Sequence, residues 1–215
     1  MSDPADLPEP ARAVADRTRG FLPAGEADAL RAAAAGARPG VWLEVGTYCG
    51  KSTVHLGSVA RAVGAQLVTV DHHHGSEENQ PGWEWHDPET VDPYTRRMDT
   101  LPFLRHALHD AGLEDVVSVL VATTQQVARW WSSPLEFLFL DGNHTDAVAQ
   151  HDYAGFARHL TPGAVLAIHD VFPDPRDGGR PPFDVWQRAL RTGAFEPSAE
   201  CGSLRVLRRT TAPVA

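Results

Sequence analysis

Short apolar runs alternate along this chain with longer stretches in which apolar residues recur every three or four positions. Such runs are typical of buried strands, and the longer spacing is typical of helices. The runs predict seven strands, which cover residues 41–45, 66–70, 116–121, 135–140, 164–168, 194–197 and 203–207. The helical spacing, with its capping and breaking residues, predicts helices over residues 11–19, 25–37, 51–63, 93–111, 124–131, 146–160 and 183–192.

The alternation of strand and helix indicates an α/β fold. The middle strands are apolar on both faces, which is the pattern of a parallel sheet covered by helices on each side. The last two strands are joined by a short turn and predict an antiparallel hairpin at one edge of the sheet. We therefore expect a doubly wound, mostly parallel, seven-stranded sheet in a single domain from residue 11 to residue 215. Residues 1–10 are expected to be a flexible tail, and residues 72–92 a long loop.

The composition limits the classes of function that the chain can have. It has 215 residues, of which 42% are hydrophobic and 22% are charged, and its formal net charge is −9. That charge argues against a nucleic-acid binder and against docking on an anionic membrane, because both need clustered cations. No apolar run reaches the roughly 20 residues of a spanning helix, and the acidic, Pro-rich start is unlike a signal peptide. The two cysteines form neither a disulfide framework nor a zinc quartet, so a cytoplasmic location is expected.

Polar or glycine-rich residues follow the carboxyl ends of the first five predicted strands. They are Gly46, Asp71, Thr123, Asp141 and the pair His169-Asp170. In a doubly wound sheet, ligands bind outside these strand ends, near the point where the strand order reverses. The sequence therefore predicts the functional site on this side of the sheet.

The first strand leads into a glycine-containing turn and a helix, through Glu44-Val-Gly46-Thr-Tyr-Cys-Gly50-Lys-Ser52. Glycines here let the backbone approach a ligand and turn sharply into the helix N-terminus. The dinucleotide fingerprint GxGxxG is absent, and the P-loop GxxxxGK[ST] fails because Val45 stands where its first glycine would be. The structural alternative is a Gly-rich turn with two solvated acids, Glu44 and Asp71.

This pattern of an acid, a glycine two positions later and a second glycine after four more, with Asp71 ending the next strand, resembles the first motif of class I S-adenosylmethionine-dependent methyltransferases. The resemblance implies a Rossmann-like methyltransferase fold with S-adenosylmethionine as the cofactor. In that family the acid matching Asp71 binds the ribose hydroxyls, and the acid matching Glu44 helps to hold the methionine amino group. The residues then expected to contact the cofactor are Glu44, Gly46, Thr47, Gly50, Ser52, Asp71, Thr123 and Asp141.

A second set of polar residues follows the fourth and fifth strands, in Asp141-Gly-Asn-His144 and His169-Asp170. Adjacent strands would bring Asp141, His169 and Asp170 together, and these donors suit a divalent metal with open positions. The oxygen ligands favour Mg²⁺ or Mn²⁺. In the structural alternative, His144 caps the following helix and His169 is a partly buried, hydrogen-bonded histidine.

These segments resemble the metal-dependent sugar O-methyltransferases of actinobacteria, including enzymes that act on mannosides in methylmannose polysaccharide assembly. In that branch, Asp-Gly-Asp and Asp-Asp supply the metal ligands and a base. This chain departs from the pattern twice, since Asn143 and His169 each stand where an acid would be. His144 is then the expected catalytic base, because an imidazole with a pKa of about 6.5 suits proton removal at neutral pH.

The predicted loop at 72–92 is rich in histidine, acid and tryptophan, and a long loop without periodicity is often functional. Tryptophan packs on the apolar face of a sugar ring, while acids and amides bind its hydroxyls. The residues expected to bind a sugar or oligosaccharide acceptor are His73, Glu77, Trp83 and Trp85. A metal site in the histidine triplet 72–74 is less favoured, because successive side chains of an extended chain point to opposite sides.

The sequence thus predicts an O-methyltransferase that acts on a hydroxyl of a sugar, with a divalent metal and a histidine base assisting. Three other functions stay open: an NAD-dependent oxidoreductase acting on a sugar, a metal-dependent hydrolase, and a non-catalytic sugar-binding module. Exposed aromatic residues and the N-terminal helices also make a homodimer plausible.

Overall fold

A computed structural model describes residues 3–83, 85–143, 145–174 and 176–214 of the chain. The strands, β1 to β7 in chain order, are Val41–Val45, Gln66–Asp71, Val117–Val121, Leu135–Leu140, Leu160–Ile168, Phe195–Cys201 and Leu204–Arg209. The helices, α1 to α7, are Ala11–Arg17, Ala24–Ala35, Lys51–Val63, Leu101–Asp110, Thr124–Ala128, Asp146–Phe156 and Pro181–Arg191. None of the described helices is long and apolar enough to cross a membrane.

The seven strands form one sheet in the order β3-β2-β1-β4-β5-β7-β6. Neighbouring strands from β3 to β5 run parallel, and β7 runs antiparallel to both β5 and β6. The predicted doubly wound sheet with an antiparallel hairpin at one edge is therefore confirmed, with β6 outermost. The strand order reverses between β1 and β4, so the carboxyl ends of these two strands flank the place where such sheets bind ligands.

Helices cover both faces of the sheet, because successive residues of a strand point to opposite faces and both sets are apolar. On one face, Trp42 and Phe137 are fully buried with side chains from α1 to α4. On the other face, Leu43 and Leu138 are fully buried with side chains from α5 to α7. This burial on both sides explains why the middle strands read as continuous apolar runs.

Helix α4 begins later than the pattern predicts. The spacing predicts a helix from residue 93, but the structure starts it at Leu101, with a proline in its first turn. The Asp92 side chain accepts hydrogen bonds from the backbone N–H groups of Tyr94 and Thr95, which closes a turn instead. Arg96 follows in a left-handed conformation, with a φ of 60°. The irregular segment after β2 therefore extends over residues 72–100 and not 72–92.

The first residues of the described chain lie against the domain, where the composition suggests a flexible tail. Leu7 is buried in the core, and the Arg31 Nε donates a hydrogen bond to the carbonyl oxygen of Ala5 at 2.8 Å. Helix α2, which carries Arg31, packs on α3 and on the strands β5 to β7. This packing places Glu26, in the first turn of α2, next to the residue that follows β5.

Candidate active site

The turn after β1 is held in place by the acid at the end of β2. Asp71 Oδ2 accepts hydrogen bonds from the backbone N–H groups of Thr47 and Tyr48, both at 2.9 Å. Tyr48 has a φ of 49°, which a residue with a Cβ rarely adopts. A carboxylate that accepts two backbone hydrogen bonds stabilises this conformation. Asp71 thus shapes the turn, and it also lines the cavity above the turn.

The two glycines of the turn allow close contacts within the protein. Gly46 has a φ of 87°, and a Cβ on it would lie 2.0 Å from the backbone oxygen of Asp141. Gly50 has a φ of 95°, and a Cβ there would lie 2.7 Å from a methyl group of Leu104. Gly46 lines the cavity, whereas Gly50 begins α3 against α4. Of the two glycines expected to contact the cofactor, Gly46 therefore lies on the cavity wall, whereas Gly50 is outside the described lining.

Glu44 does not reach the cavity, contrary to the expectation that it contacts the cofactor. Its side chain is fully buried, and its two carboxylate oxygens accept hydrogen bonds from Ser52 Oγ at 2.6 Å and Thr53 Oγ1 at 2.7 Å. Burial raises the pKa of Glu44 to about 7, against the opposing effect of these hydrogen bonds. Any influence of Glu44 on a ligand therefore passes through Ser52, which does line the cavity.

A cavity of about 660 Å³ lies above the carboxyl ends of β1, β2, β4 and β5. Its volume falls within the range of about 300–1,000 Å³ that is usual for sites of small molecules and cofactors. Among the residues predicted to bind the cofactor, those lining it are Gly46, Thr47, Ser52, Asp71, Thr123 and Asp141. Thr123 also caps α5, where its hydroxyl accepts a hydrogen bond from the backbone N–H of Gln126.

The three predicted metal ligands come together at one side of this cavity. One ligand atom from each of Asp141, His169 and Asp170 lies within 4.8 Å of the others. His169 Nδ1 is 3.0 Å from Asp141 Oδ1 and 3.5 Å from Asp170 Oδ1. Adjacent ligands of an octahedral ion with bonds of about 2.1 Å are separated by about 3 Å. The donor types and their spacing therefore fit a divalent metal ion.

The surroundings of His169 favour a positive charge at the imidazole. The ring is 4% exposed, and burial by itself would lower its pKa. The carboxylates of Asp141 and Asp170 outweigh burial and raise the pKa of His169 to about 11. Either a proton or a metal ion at Nδ1 would balance the negative charge of these two carboxylates.

An aromatic cluster forms the mouth of the cavity. The Phe21 ring contacts Trp85 edge-to-face at a centroid distance of 5.2 Å and lies 5.7 Å from the ring of Tyr48. Arg19 forms ion pairs with Asp87 and Glu89 in the loop that carries Trp85. The segment between α1 and α2 thus fastens the long loop over the cavity. We call the three rings Phe21, Tyr48 and Trp85 the aromatic mouth.

Trp85 is the predicted acceptor-binding residue that the structure places on the cavity wall. Glu77 and Trp83 are exposed and lie outside the described lining. His73 is buried, with Nδ1 at 2.8 Å from Thr100 Oγ1 and its backbone N–H on Asp71 at 2.7 Å. Burial lowers the pKa of His73, which favours the neutral form of the ring. The contacts of His73 therefore stabilise the loop. His144, the predicted base, lies outside the described residues.

Sequence reasoning missed Arg19 and Phe21 on the cavity wall and Glu26 beside His169. All three belong to the N-terminal segment, which reaches the site only through tertiary packing. Phe21 offered one signal, since it is an aromatic residue in the short segment between two predicted helices.

Comparisons with known proteins agree with this geometry. A family model described as a methyltransferase domain matches residues 43–171. Cofactor-bound Rv0187 from MTB has a TM-score of 0.64 and 22% identity, over 94% of this chain and 88% of that chain. The O-methyltransferase TomG from Streptomyces achromogenes, in complex with SAM, has a TM-score of 0.60 and 16% identity, over 95% and 91%. The O-methyltransferase from Bacillus cereus, in complex with SAH, has a TM-score of 0.57 and 18% identity, over 97% and 92%.

The family match spans more than half of the chain, and it includes the turn after β1, Asp71 and the cluster of Asp141, His169 and Asp170. The solved structures share the overall fold over nearly the whole chain. The chain therefore belongs to the methyltransferase-domain family and has the Rossmann-like fold of the O-methyltransferases that resemble it.

Proposed function

We propose that the protein transfers a methyl group from S-adenosylmethionine to a hydroxyl of a sugar or oligosaccharide, with a divalent metal and a histidine base assisting. One observation carries this proposal: the turn after β1 and the cluster of Asp141, His169 and Asp170 line a single cavity. Methyl transfer requires the donor sulfur, the methyl carbon and the acceptor oxygen to be held in line. A cavity lined both by the turn that would bind the cofactor and by the cluster that would bind the metal supports that alignment.

The cofactor supplies an electrophilic methyl group on a sulfonium ion, and the residues of the turn orient it. Asp71 lines the cavity at the end of β2, where the ribose hydroxyls bind in enzymes with this motif. The hydroxyl of Ser52 donates a hydrogen bond to Glu44. The Ser52 oxygen can then accept a hydrogen bond from a ligand in the cavity. Ser52 therefore suits the ammonium group of the methionine moiety, with Glu44 fixing its orientation.

Asp141, His169 and Asp170 would hold the metal ion, Mg²⁺ or Mn²⁺, whose charge would acidify an acceptor hydroxyl bound to it. We assign proton removal to His144 from its place in the sequence, three residues after Asp141. The preceding Asn143 lines the cavity and offers an amide, not a carboxylate base. An imidazole is then the nearest group along the chain that accepts a proton at neutral pH.

The aromatic mouth supports a sugar as the acceptor. Trp85 and Phe21 are 47% and 58% exposed, so their rings are available to pack on the apolar face of a pyranose. The polar side chains of Asn79 and Asp177 also line the cavity and can bind hydroxyls. The same mouth would accept a flat aromatic alcohol. The assay must therefore compare aromatic alcohols with sugars as methyl acceptors.

A transfer assay tests the proposed function. Methyl-labelled S-adenosylmethionine is incubated with the protein and Mn²⁺ or Mg²⁺, in the presence of mannosides, other sugars or catechol. We expect label on a sugar, loss of transfer with EDTA, and binding of S-adenosylhomocysteine but not of NAD. Label on catechol alone would contradict the sugar assignment, and binding of NAD alone would contradict methyl transfer.

Replacing the assigned base tests its role separately. We expect His144→Ala to lower kcat by about 10²–10⁴-fold, because general-base assistance is typically of that size. Its affinity for S-adenosylhomocysteine, measured by calorimetry, should stay near that of the parent protein. His151→Ala, an exposed histidine of α6, is the matched control and should keep the parent kcat. An unchanged kcat in His144→Ala would contradict the assignment.

A further inference from the structure

Glu26 is a buried carboxylate that contacts His169 from behind, and the proposed mechanism gives it no part. Its Oε2 lies 2.5 Å from His169 Nε2, and the residue is 6% exposed. Its Oε1 accepts a hydrogen bond from the backbone N–H of Ser203 at 2.7 Å, and the Ser203 hydroxyl lies 3.2 Å from Oε2. A Cβ on Gly202, in the turn between β6 and β7, would lie 2.0 Å from Oε1. The turn is therefore shaped to admit this carboxylate.

These contacts settle which nitrogen of His169 faces which neighbour. A carboxylate only accepts hydrogen bonds, so Nε2 carries its proton toward Glu26. Nδ1 is thereby directed at Asp141 Oδ1, 3.0 Å away, and Asp170 Oδ1, 3.5 Å away. The ring is held from two sides and cannot rotate without breaking a buried contact. A histidine that binds a metal through one nitrogen usually donates its other N–H to a carboxylate in this way.

We propose that Glu26 is a positioning residue that holds His169 Nδ1 toward the metal position, and that the resulting site prefers Mn²⁺ or a similar transition-metal ion to Mg²⁺. The inference rests on the proposed metal-assisted function. Mg²⁺ prefers oxygen ligands, whereas imidazole nitrogen suits first-row transition metals. A carboxylate on the remote nitrogen also makes the imidazole a stronger ligand. Loss of Glu26 should therefore weaken Mn²⁺ binding more than Mg²⁺ binding.

The test measures metal binding without any methyl acceptor. Free Mn²⁺ is followed by electron paramagnetic resonance while the protein is titrated, and Mg²⁺ is then added as a competitor. For the parent protein we expect Mg²⁺ to compete only in more than tenfold excess. For Glu26→Gln, which keeps the size of the side chain, we expect the Kd for Mn²⁺ to rise by about 10–100-fold. The Kd for Mg²⁺ should rise less. The ratio of the Kd for Mg²⁺ to the Kd for Mn²⁺, which measures the preference for Mn²⁺, should therefore fall.

Two further variants separate positioning from folding. Ser203→Ala removes the hydroxyl contact with Glu26 but keeps the backbone N–H, so it should shift the same ratio in the same direction by a few-fold. Glu196→Gln, an exposed acid on β6, should leave both Kd values unchanged. Binding of S-adenosylhomocysteine by calorimetry reports whether each variant is folded. If Glu26→Gln does not fold, Ser203→Ala alone decides.

Parent-like Mn²⁺ affinity and selectivity in Glu26→Gln would overturn the inference, as would equal affinity of the parent protein for the two ions. Absence of any metal binding by the parent protein would overturn it as well. That outcome is distinct from failure of methyl transfer, because the label assay with EDTA reports transfer that needs no metal.

Discussion

Two glycines with similar backbone angles have different surroundings, and this difference allows a matched pair of substitutions. Gly46 has a φ of 87° and Gly64 a φ of 77°, both in the left-handed region. A Cβ at Gly46 would collide with the backbone oxygen of Asp141, whereas a Cβ at Gly64 would meet nothing within 4 Å. The pair separates the cost of the backbone angle from the cost of close packing.

We expect Gly64→Ala to lower the free energy of unfolding by about 1 kcal/mol, because an L-residue is strained there. Gly46→Ala should add an overpacking cost of about 1–3 kcal/mol. It should also weaken binding of S-adenosylhomocysteine, since the backbone of Asp141 must move. Denaturant unfolding and calorimetry measure the two quantities. Equal stability and equal binding in the two variants would show that the packing of Gly46 has no role in the site.

At the residue scale, the strand-end rule was enough to find Asp71, Asp141 and Asp170. The family resemblance, and not this rule, suggested a cofactor contact for Glu44, which lies one residue before the end of β1. Strand alternation would have placed it correctly, because Glu44 is two residues after Trp42 and so points to the same face. That face is covered by α3, whose Ser52 and Thr53 bind the carboxylate.

The long loop between β2 and α4 is joined to the N-terminal segment by two ion pairs of Arg19, with Asp87 and Glu89. We expect Arg19→Ala to speed amide hydrogen exchange around residues 85–90, because Asp87 and Glu89 lose their common partner. The KM for the acceptor should rise by several-fold, since Trp85 is then less well placed. Affinity for S-adenosylhomocysteine should change less. Mass-spectrometric exchange and steady-state kinetics give the two readouts.

The matched control for this element is Arg17→Ala. Arg17 pairs with Asp110 on α4, away from the described lining of the cavity. Its removal should leave exchange of the loop and the acceptor KM unchanged. A loop that exchanges at the parent rate in Arg19→Ala would show that the aromatic contacts suffice to hold it.

At the element scale, the apolar pattern gave the same bounds as the structure for β1, α3 and β4. It failed at α4 because the segment offers two prolines, at positions 93 and 102, and either suits the first turn of a helix. Two features decide for the second proline: the turn that Asp92 closes, and the left-handed Arg96. Only the first of these is visible in the sequence, since Asp before Pro favours a turn.

Two buried acids, Glu44 and Asp152, should each make the protein less stable as the pH rises from about 4 to about 7, because they resist ionisation in the folded state. Burial raises the pKa of both Glu44 and Asp152 to about 7. One carboxylate oxygen of Asp152 is buried without a hydrogen-bond partner among the described residues. Between the unfolded pKa near 4 and the folded pKa, the folded state binds more protons, so stability decreases with pH. Each group contributes about 1.4 kcal/mol per pH unit in that window.

We expect Asp152→Asn to show a smaller fall in Tm between pH 5 and pH 8 than the parent protein, because one of the two acids no longer titrates. Near pH 8 the variant should be the more stable of the two. Asp146→Asn, at the exposed start of the same helix, should retain the parent slope. Parallel pH profiles for Asp152→Asn and the parent protein would contradict the raised pKa. Differential scanning calorimetry over the pH range makes the measurement.

At the scale of the molecule, the sequence predicted the sheet and its site but not Glu26. The residue lies in the first turn of an Ala-rich helix, where a glutamate is ordinary. Its partner His169 is 143 residues away, and no local pattern reports a contact at that separation. The strand-end rule finds groups that face the ligand, and it does not identify groups, such as Glu26, that contact them from the side away from the ligand.

The contact between Glu26 and Ser203 joins residues that are 177 positions apart. During synthesis, the helix that bears Glu26 leaves the ribosome well before the hairpin of β6 and β7 emerges. This corner of the protein therefore forms only after residue 203 has been synthesised. A chain that stops before residue 203 would lack the Ser203 contacts that hold Glu26 against His169, even if the rest of its sheet assembled.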